Sequence, residues 1–495
     1  MPPSKKMIHT CLDDLPFGEA GPEAAKGPVG KVRLPDDISQ RILTRDVVRI
    51  AWPSLLELVL TQLTSMADQV MVGRLPGTAG IAALSAVGLA AQPKFLLMTM
   101  IQAMNVGSTA MIARYRGQQN RDKANQTFLQ AIYLNLFMSI LFMTLGLVFC
   151  RQLIAFMASS AISEETLTAA TTYLRIQMYG FVPFAMSFTI TAALRGIGDP
   201  RTPMIYNTTA NVVNVLFNYI LIYGKFGAPA MGVAGASLAT VIGQTTAFFM
   251  AFSVVLGSRH YIYLDFRKKF RFDGAIMRSV SKIGLPSMIE QLFMRAGMII
   301  FSRTVAGLGD VYFATHQVCM NIQSMSFMVG NAFATATTTL MGQSLGKRRY
   351  DMAASYMKQT RRLGQIASIL LGVIFAVYGG RIVGFYNKTP EVIAAGGQVM
   401  LIIGLCQPIQ TTQFITSGGL RGAGDTRFVA IVTSVTVLGV RTILAILTIR
   451  ILNWGLWGAW AALIADQCLR TALVCVRYEQ GHWKRIALKN RFDGA

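Results

Sequence analysis

From Leu134 to Cys150, and again from Leu363 to Gly380, the chain carries no charged residue. A helix needs about 17–25 apolar residues to cross the hydrocarbon of a bilayer, and runs of this kind recur often enough for about twelve spans. Backbone amides cannot stay unpaired in hydrocarbon, so such segments fold as α-helices. Charged residues make up 14% of the 495, against about a quarter in an ordinary soluble domain. A water-soluble fold is excluded, and an all-α membrane protein is expected.

The formal charge of +23 raises the question of nucleic acid or anionic substrates, and its placement answers it. With loops assigned to alternating sides, Arg114, Arg116, Arg121, Lys123, the run Arg267 to Arg271, and Lys347, Arg348 and Arg349 share one side. The other side receives Arg74, Arg151, Lys225, Arg381, Lys388 and Arg450. That asymmetry follows the positive-inside rule, placing both termini in the cytoplasm of a multi-pass protein of the inner, or plasma, membrane. No nucleic-acid partner is implied. The first ~40 residues lack the apolar core of a signal peptide and read as a polar tail, so the first span itself directs insertion. The six cysteines (Cys11, Cys150, Cys319, Cys406, Cys468, Cys475) show neither a CxxC pair nor metal-ligand spacing.

An internal repeat organises the rest. Ala-Leu-Arg-Gly-Ile-Gly-Asp-Pro-Arg at 193–201 returns as Gly-Leu-Arg-Gly-Ala-Gly-Asp-Thr-Arg at 419–427, an offset of 226. Pro-Ser-Leu-Leu-Glu at 53–57 returns as Pro-Ser-Met-Ile-Glu at 286–290, an offset of 233, and Gly-Val-Ala-Gly-Ala at 232–236 as Gly-Leu-Trp-Gly-Ala at 455–459, an offset of 223. The chain is therefore read as a tandem duplication of a six-helix unit. The expected division is a tail at 1–44, an N-lobe at 45–258, a linker at 259–279, a C-lobe at 280–478 and a second tail at 479–495. The expected spans are 46–73, 80–114, 124–150, 169–195, 201–223 and 232–257, then 280–306, 313–343, 352–380, 393–420, 427–451 and 455–478. An even number of helices per half makes the repeats parallel, and substrate sites in such folds lie near the midplane between the halves.

An ionised group at the bilayer centre costs at least ~2.5–3.5 kcal/mol, so intramembrane acids need a reason. Glu57, Asp68, Glu290 and Asp466 are the candidates. Glu57 and Asp68 share a helical face, roughly 16 Å apart along the axis, with Thr61, Thr64 and Ser65 between them. Either each acid is paired with a buried arginine, or the stripe lines a wet cavity that takes up an ion. Asn207, Asn211, Asn214 and Asn218 recur at steps of four, three and four, which places them on one face. Interhelical hydrogen bonding and coordination of substrate or cation both account for that face. Gln317, Asn321, Ser324, Asn331, Thr335 and Thr338 repeat the theme in the second half, as do Gln407, Gln410, Thr411 and Gln413 beside a kink expected at Pro408. His316 is the histidine that borders a span, and a structural role is the simpler reading. The 27 Met and 28 Phe suit a pocket for varied apolar cations, although most must face lipid or pack helices.

Over roughly residues 45–478 the sequence resembles the multidrug and toxic compound extrusion (MATE) family. The resemblance rests on Met66-Ala-Asp-Gln-Val-Met-Val-Gly-Arg74, the paired Leu-Arg-Gly-x-Gly-Asp motifs and Asn-Tyr-Ile-Leu-Ile-Tyr-Gly at 218–224. It implies twelve transmembrane helices in two pseudo-symmetric six-helix lobes around a central cleft. It implies, too, a monomeric cation-coupled antiporter that exports small molecules, organic cations above all, by alternating access amid membrane lipid. Neither a cofactor nor a metal is implied beyond the coupling proton or sodium ion. Asp68 falls where the family's first-helix aspartate lies, which is implicated in coupling. Asn214 and Asn218 fall on fifth-helix positions that some relatives fill with Asn and Asp. Sodium-coupled relatives place Glu on the seventh helix and Asp on the tenth; the matching positions here hold Met294 and Gln410, leaving Glu290 or Asp466 as possible substitutes.

The expectation is that Asp68 takes up a proton, or else sodium, with Asn214 and Asn218 positioning it and Glu57, Glu290 and Asp466 as further ion-coupling candidates. Thr61, Asn211, Gln317, Asn321, Asn331, Gln410 and Gln413 are the expected cleft residues. A flippase for lipid-linked precursors is the alternative within transport, with Arg175, Arg295, Arg303 and Arg441 available for an anionic headgroup. A membrane enzyme is the alternative from another class, but no catalytic constellation survives placement in the spans.

Overall fold

The computed structural model describes residues 28–29, 35, 37–75, 78–157, 163–257, 260–264, 272–386 and 389–489. Most of the expected N-terminal tail, Cys11, the basic run at 267–271, Lys388 and residues 490–495 lie outside the described residues. Within them every regular element is helical: α1 (Gln40–Gly73), α2 (Thr78–Gly117), α3 (Arg121–Val148), α4 (Cys150–Met157), α5 (Glu164–Tyr179), α6 (Phe181–Gly196), α7 (Arg201–Tyr223) and α8 (Gly232–Leu256). They continue as α9 (Gly274–Ala306), α10 (Asp310–Gly346), α11 (Tyr350–Tyr386), α12 (Pro390–Gly422), α13 (Thr426–Ile451), α14 (Gly455–Glu479) and α15 (His482–Lys489).

Eight of these helices are long and apolar enough to cross a membrane, and α5 with α6 adds a ninth, bent by 49°. The three other long helices, α7, α9 and α10, have 23, 33 and 37 residues. They reach the length of a span but carry the polar faces that lower their hydropathy. The protein is thus an all-α membrane protein with the expected set of spans. The sequence did not announce the break at Gly180, which falls inside the span expected at 169–195. Nor did it announce that α13 winds as π-helix over Val435–Arg441 and Leu447–Ile451. Pro408 lies inside a continuous α12.

The repeated Leu-Arg-Gly-x-Gly-Asp motifs are helix C-termini. Gly198 and Gly424 sit at φ 88° and 89°, a region open to glycine and strained for other residues. Each turn closes with the same bonds: Gly198 N–H to Arg195 O at 3.0 Å and Asp199 N–H to Leu194 O at 2.9 Å, against 2.9 and 2.8 Å for Gly424 to Arg421 and Asp425 to Leu420. These are Schellman-type caps, which accounts for the motif without a phosphate ligand.

The chain divides into two compact units. One takes the described residues up to Leu55, 113–119 and those from Leu285 onward; the other takes 56–112 and the described residues of 120–284. In the first, α12 packs on α10 and α11 through small residues. Gly372 and Gly404 face each other so closely that a Cβ on Gly404 would lie 2.6 Å from the Gly372 carbonyl oxygen. Close backbone approach is how helices associate where lipid removes the hydrophobic driving force. Trp460, Phe301, Val399 and Met400 fill one core of this unit, and Met341, Ile415, Tyr478 and Trp483 another. In the second unit Phe181, Leu174, Met178 and Ile101 form the core, with Asn135 donating to Asn105 at 3.2 Å beneath it.

Candidate functional site

The asparagine face of α7 meets the polar stripe of α1 in one register. Asn207 Nδ2 donates to Glu57 Oε1 at 2.7 Å, Asn211 Nδ2 to Thr61 Oγ1 at 3.3 Å, and Asn218 Nδ2 to Asp68 Oδ1. Each pair is 150 residues apart, so the two helices run side by side as a ladder of amide and oxygen rungs. Asn214 supplies the fourth rung. With its amide turned so that the carbonyl accepts from the Thr240 N–H at 3.1 Å, its NH2 lies 3.0 Å from Asp68 Oδ1; orientation of an amide is decided by such networks. Asn214 is 5% exposed and Asn218 is fully buried, while Asp68 is half-buried. Gly243 of α8 makes room for the group, since a Cβ there would lie 3.0 Å from Asn214 Cβ.

The other three acids are committed to arginines. Glu57 Oε2 accepts from Arg195 at 2.7 Å, and Glu290 Oε1 from Arg421 at 2.7 Å. The two repeated motifs therefore pair with each other in both halves: the glutamate of Pro-Ser-x-x-Glu binds the arginine of Leu-Arg-Gly. Asp466 is fully buried, and its Oδ2 accepts from Arg441 Nε at 3.1 Å, Arg441 Nη2 at 2.5 Å and Arg470 Nη2 at 2.9 Å. Of the four acids, Asp68 has amide donors and no arginine among its bonds. Lys94 of α2, half-buried, lies within electrostatic reach of Asp68. Sequence reasoning passed over it; the signal was a lone lysine beside Pro93 in an otherwise apolar span.

The amides of the second half separate. Gln410 and Gln413 are buried. Gln410 accepts from Gln323 Nε2 at 3.2 Å and donates to Ser326 at 3.2 Å, and Gln413 donates to Ser417 at 3.1 Å. Gln317, Asn321 and Asn331 point the other way and are exposed on α10. One helix thus carries two polar faces, and the buried one, Gln323 and Ser326, was not singled out from the sequence. His316 is 2% exposed, with its ring 5.5 Å from Phe301 and 5.6 Å from Trp460, the structural placement expected of it. Of the arginines considered for an anionic headgroup, Arg441 is spent on Asp466, while Arg175 and Arg303 are exposed on their helices.

The MatE family model matches residues 53–220 and again 286–447, so the paired matches begin 233 residues apart and end 227 apart. The chain is 27% identical over 91% of its length to "Probable multidrug resistance protein NorM" of Thermotoga maritima, covering 95% of that relative. It is 27% identical over 79% of its length to multidrug resistance protein MdtK of Yersinia pestis, covering 84% of it. Among solved structures it resembles a MATE protein in complex with MaD3S, with a TM-score of 0.81 at 19% identity over 90% of this chain and 96% of that one. It resembles equally, at 20% identity, an outward-facing multidrug resistance transporter of the MOP superfamily, with the same TM-score and coverage. At such identities these two likenesses concern the fold.

Proposed function

The chain belongs to the MATE family of transporters, and from that premise we propose that it is a proton-coupled antiporter exporting small cationic or amphipathic compounds, with Asp68 as the coupling carboxylate. The observation that carries this is the contrast among four intramembrane acids: Glu57, Glu290 and Asp466 are held by arginines, and Asp68 is held by amides. An arginine neutralises a carboxylate permanently, whereas an amide leaves it able to exchange a cation. Asn214 and Asn218 position Asp68, and Thr61 and Asn211 extend the polar surface along α1 and α7. The facing amides favour a proton over sodium, because they present NH2 groups to Asp68 where a metal cation would need oxygens. Coupling then follows from thermodynamics: proton and drug must each prefer a different conformation. The lobes of this cycle are residues 45–258 and 280–478, both termini are cytoplasmic, the protein acts as a monomer in the inner membrane, and Gln317, Asn321 and Asn331 face the substrate route.

The test is transport of ethidium by the purified protein in liposomes, with proton and sodium gradients imposed separately on wild type and Asp68→Asn. Dye movement driven by the proton gradient and lost in the variant is expected. Wild-type rates in Asp68→Asn would overturn the assignment. Silence of the wild type under both gradients would move the case to lipid translocation, to be assayed next.

A further inference from the structure

The duplication gives Asp68, Asn214 and Gly243 counterparts in the other half. At the offset of 233 set by the Pro-Ser-x-x-Glu motifs, Asp68 corresponds to Phe301. At the offset of 223 set by the Gly-x-x-Gly-Ala motifs, Gly243 corresponds to Asp466 and Ala247 to Arg470; α8 and α14 are both 25 residues long, so this register holds throughout. Between α7 and α13 the offset starts at 226 and ends at 227. The π-helical turn at Val435–Arg441 accommodates the extra residue, as single-residue insertions in helices do. Past that insertion Asn214 corresponds to Arg441.

These counterparts also meet. The Arg441 guanidinium lies 5.8 Å from the Phe301 ring centroid, where Asn214 in the other half faces Asp68. It binds Asp466, where Asn214 packs on Gly243. The place of the coupling carboxylate holds an aromatic ring, and a carboxylate has appeared on the helix opposite, already bound to a cation. We infer that Arg441 is a built-in cation: its guanidinium fills the second half's counterpart of the ion site permanently, so that a single exchangeable ion, at Asp68, drives each cycle.

The inference rests on Asp68 being the coupling carboxylate, and the experiment separates the two. Arg441→Ala removes the guanidinium and leaves its space beside Asp466. Asp466 keeps Arg470, but the variant loses one of its two guanidinium partners and leaves a buried space unfilled, so its melting temperature should fall and dye transport should drop by about tenfold or more. Millimolar guanidinium ion, far below denaturing concentration, should restore both in Arg441→Ala and change neither in wild type. Arg441→Lys, which keeps the charge, should retain transport and release the same number of protons on drug binding as wild type, counted with an indicator dye, while Asp68→Asn releases none. Proton release that persists in Asp68→Asn and disappears on adding Asp466→Asn would overturn the inference, because Asp466 would then exchange ions itself. So would an Arg441→Ala protein that is as stable and active as wild type without guanidinium, or one that is impaired and gains nothing from it; if that variant does not fold, the proton counts decide. Transport surviving in Asp68→Asn would instead remove the functional reading, whatever Arg441 does.

Discussion

The pairing of the duplicated glutamates and arginines makes a quantitative prediction about what holds each half together. Glu290 is 2% exposed, accepts one bond from Arg421 at 2.7 Å, and has a second oxygen, Oε2, that is buried without a partner. Arg421→Met therefore strips a buried carboxylate of its hydrogen-bonded guanidinium and leaves Arg470 within electrostatic reach. Losing one member of a buried pair costs about 3–5 kcal/mol, whereas replacing both with apolar side chains of similar volume is often neutral. The Arg421 side chain is 22% exposed, which puts the expected loss at the lower end, about 3 kcal/mol. The double variant Glu290→Met/Arg421→Met should lie within about 1 kcal/mol of wild type. Arg195→Met should cost less than Arg421→Met, because Asn207 still donates to Glu57 at 2.7 Å. Equilibrium unfolding in mixed micelles, followed by circular dichroism, gives the free energies, and the double-mutant cycle gives the coupling. If single and double variants are equally destabilised, the pair is not the unit of stability and the reasoning fails.

Three further outcomes follow from particular contacts. Gly424→Ala and Gly198→Ala force a Cβ into left-handed backbone and should each cost about 1 kcal/mol in the same unfolding assay. Gly439→Ala, with nothing within 4 Å of the new carbon, is the control and should be near neutral. Gly404→Leu should drive α11 and α12 apart and abolish the folded monodisperse protein, seen as aggregation in size-exclusion chromatography, because the facing backbone stands 2.6 Å from its Cβ. Trp483 is fully buried and stacks on Tyr478 at 5.7 Å with planes 4° apart. Trp483→Ala should cost about 3–5 kcal/mol of local packing and expose α15 to limited proteolysis before the rest of the chain.

The spans and the duplication were legible because each is a property of order along the chain. Runs of apolar residues report the solvent they face, and repeated motifs need only be compared with each other. The amide face of α7 was legible for the same reason, since steps of four, three and four are enough to put side chains together. What the sequence withheld were the pairings across helices. Glu57 lies 138 residues from Arg195, and nothing in the spacing names one as the other's partner. A signal was nevertheless present: both members belong to motifs that occur twice, and two motifs duplicated together are candidates to touch. The split of α10 into a buried Gln323 and Ser326 and an exposed Gln317, Asn321 and Asn331 was out of reach, because polar residues on both faces of a helix give no periodic contrast. The π-helical turn in α13 left only a one-residue change of offset.

That change of offset matters more for the chemistry than for the fold. The Glu–Arg braces, the Schellman caps and the lengths of α8 and α14 are the same in both halves, so the scaffold has been kept. The divergence gathers where α7 and α13 face their neighbours. One half has Asp68, Asn214, Asn218 and Gly243; the other has Phe301, Arg441 and Asp466. A scaffold under the same packing demands tolerates a buried carboxylate only where countercharge meets it, and Asp466 is met by two guanidiniums, those of Arg441 and Arg470. Asp68, with amides and no arginine among its bonds and Lys94 within electrostatic reach, is the position we propose for the exchangeable cation, the role that Arg441 would fill by covalent attachment.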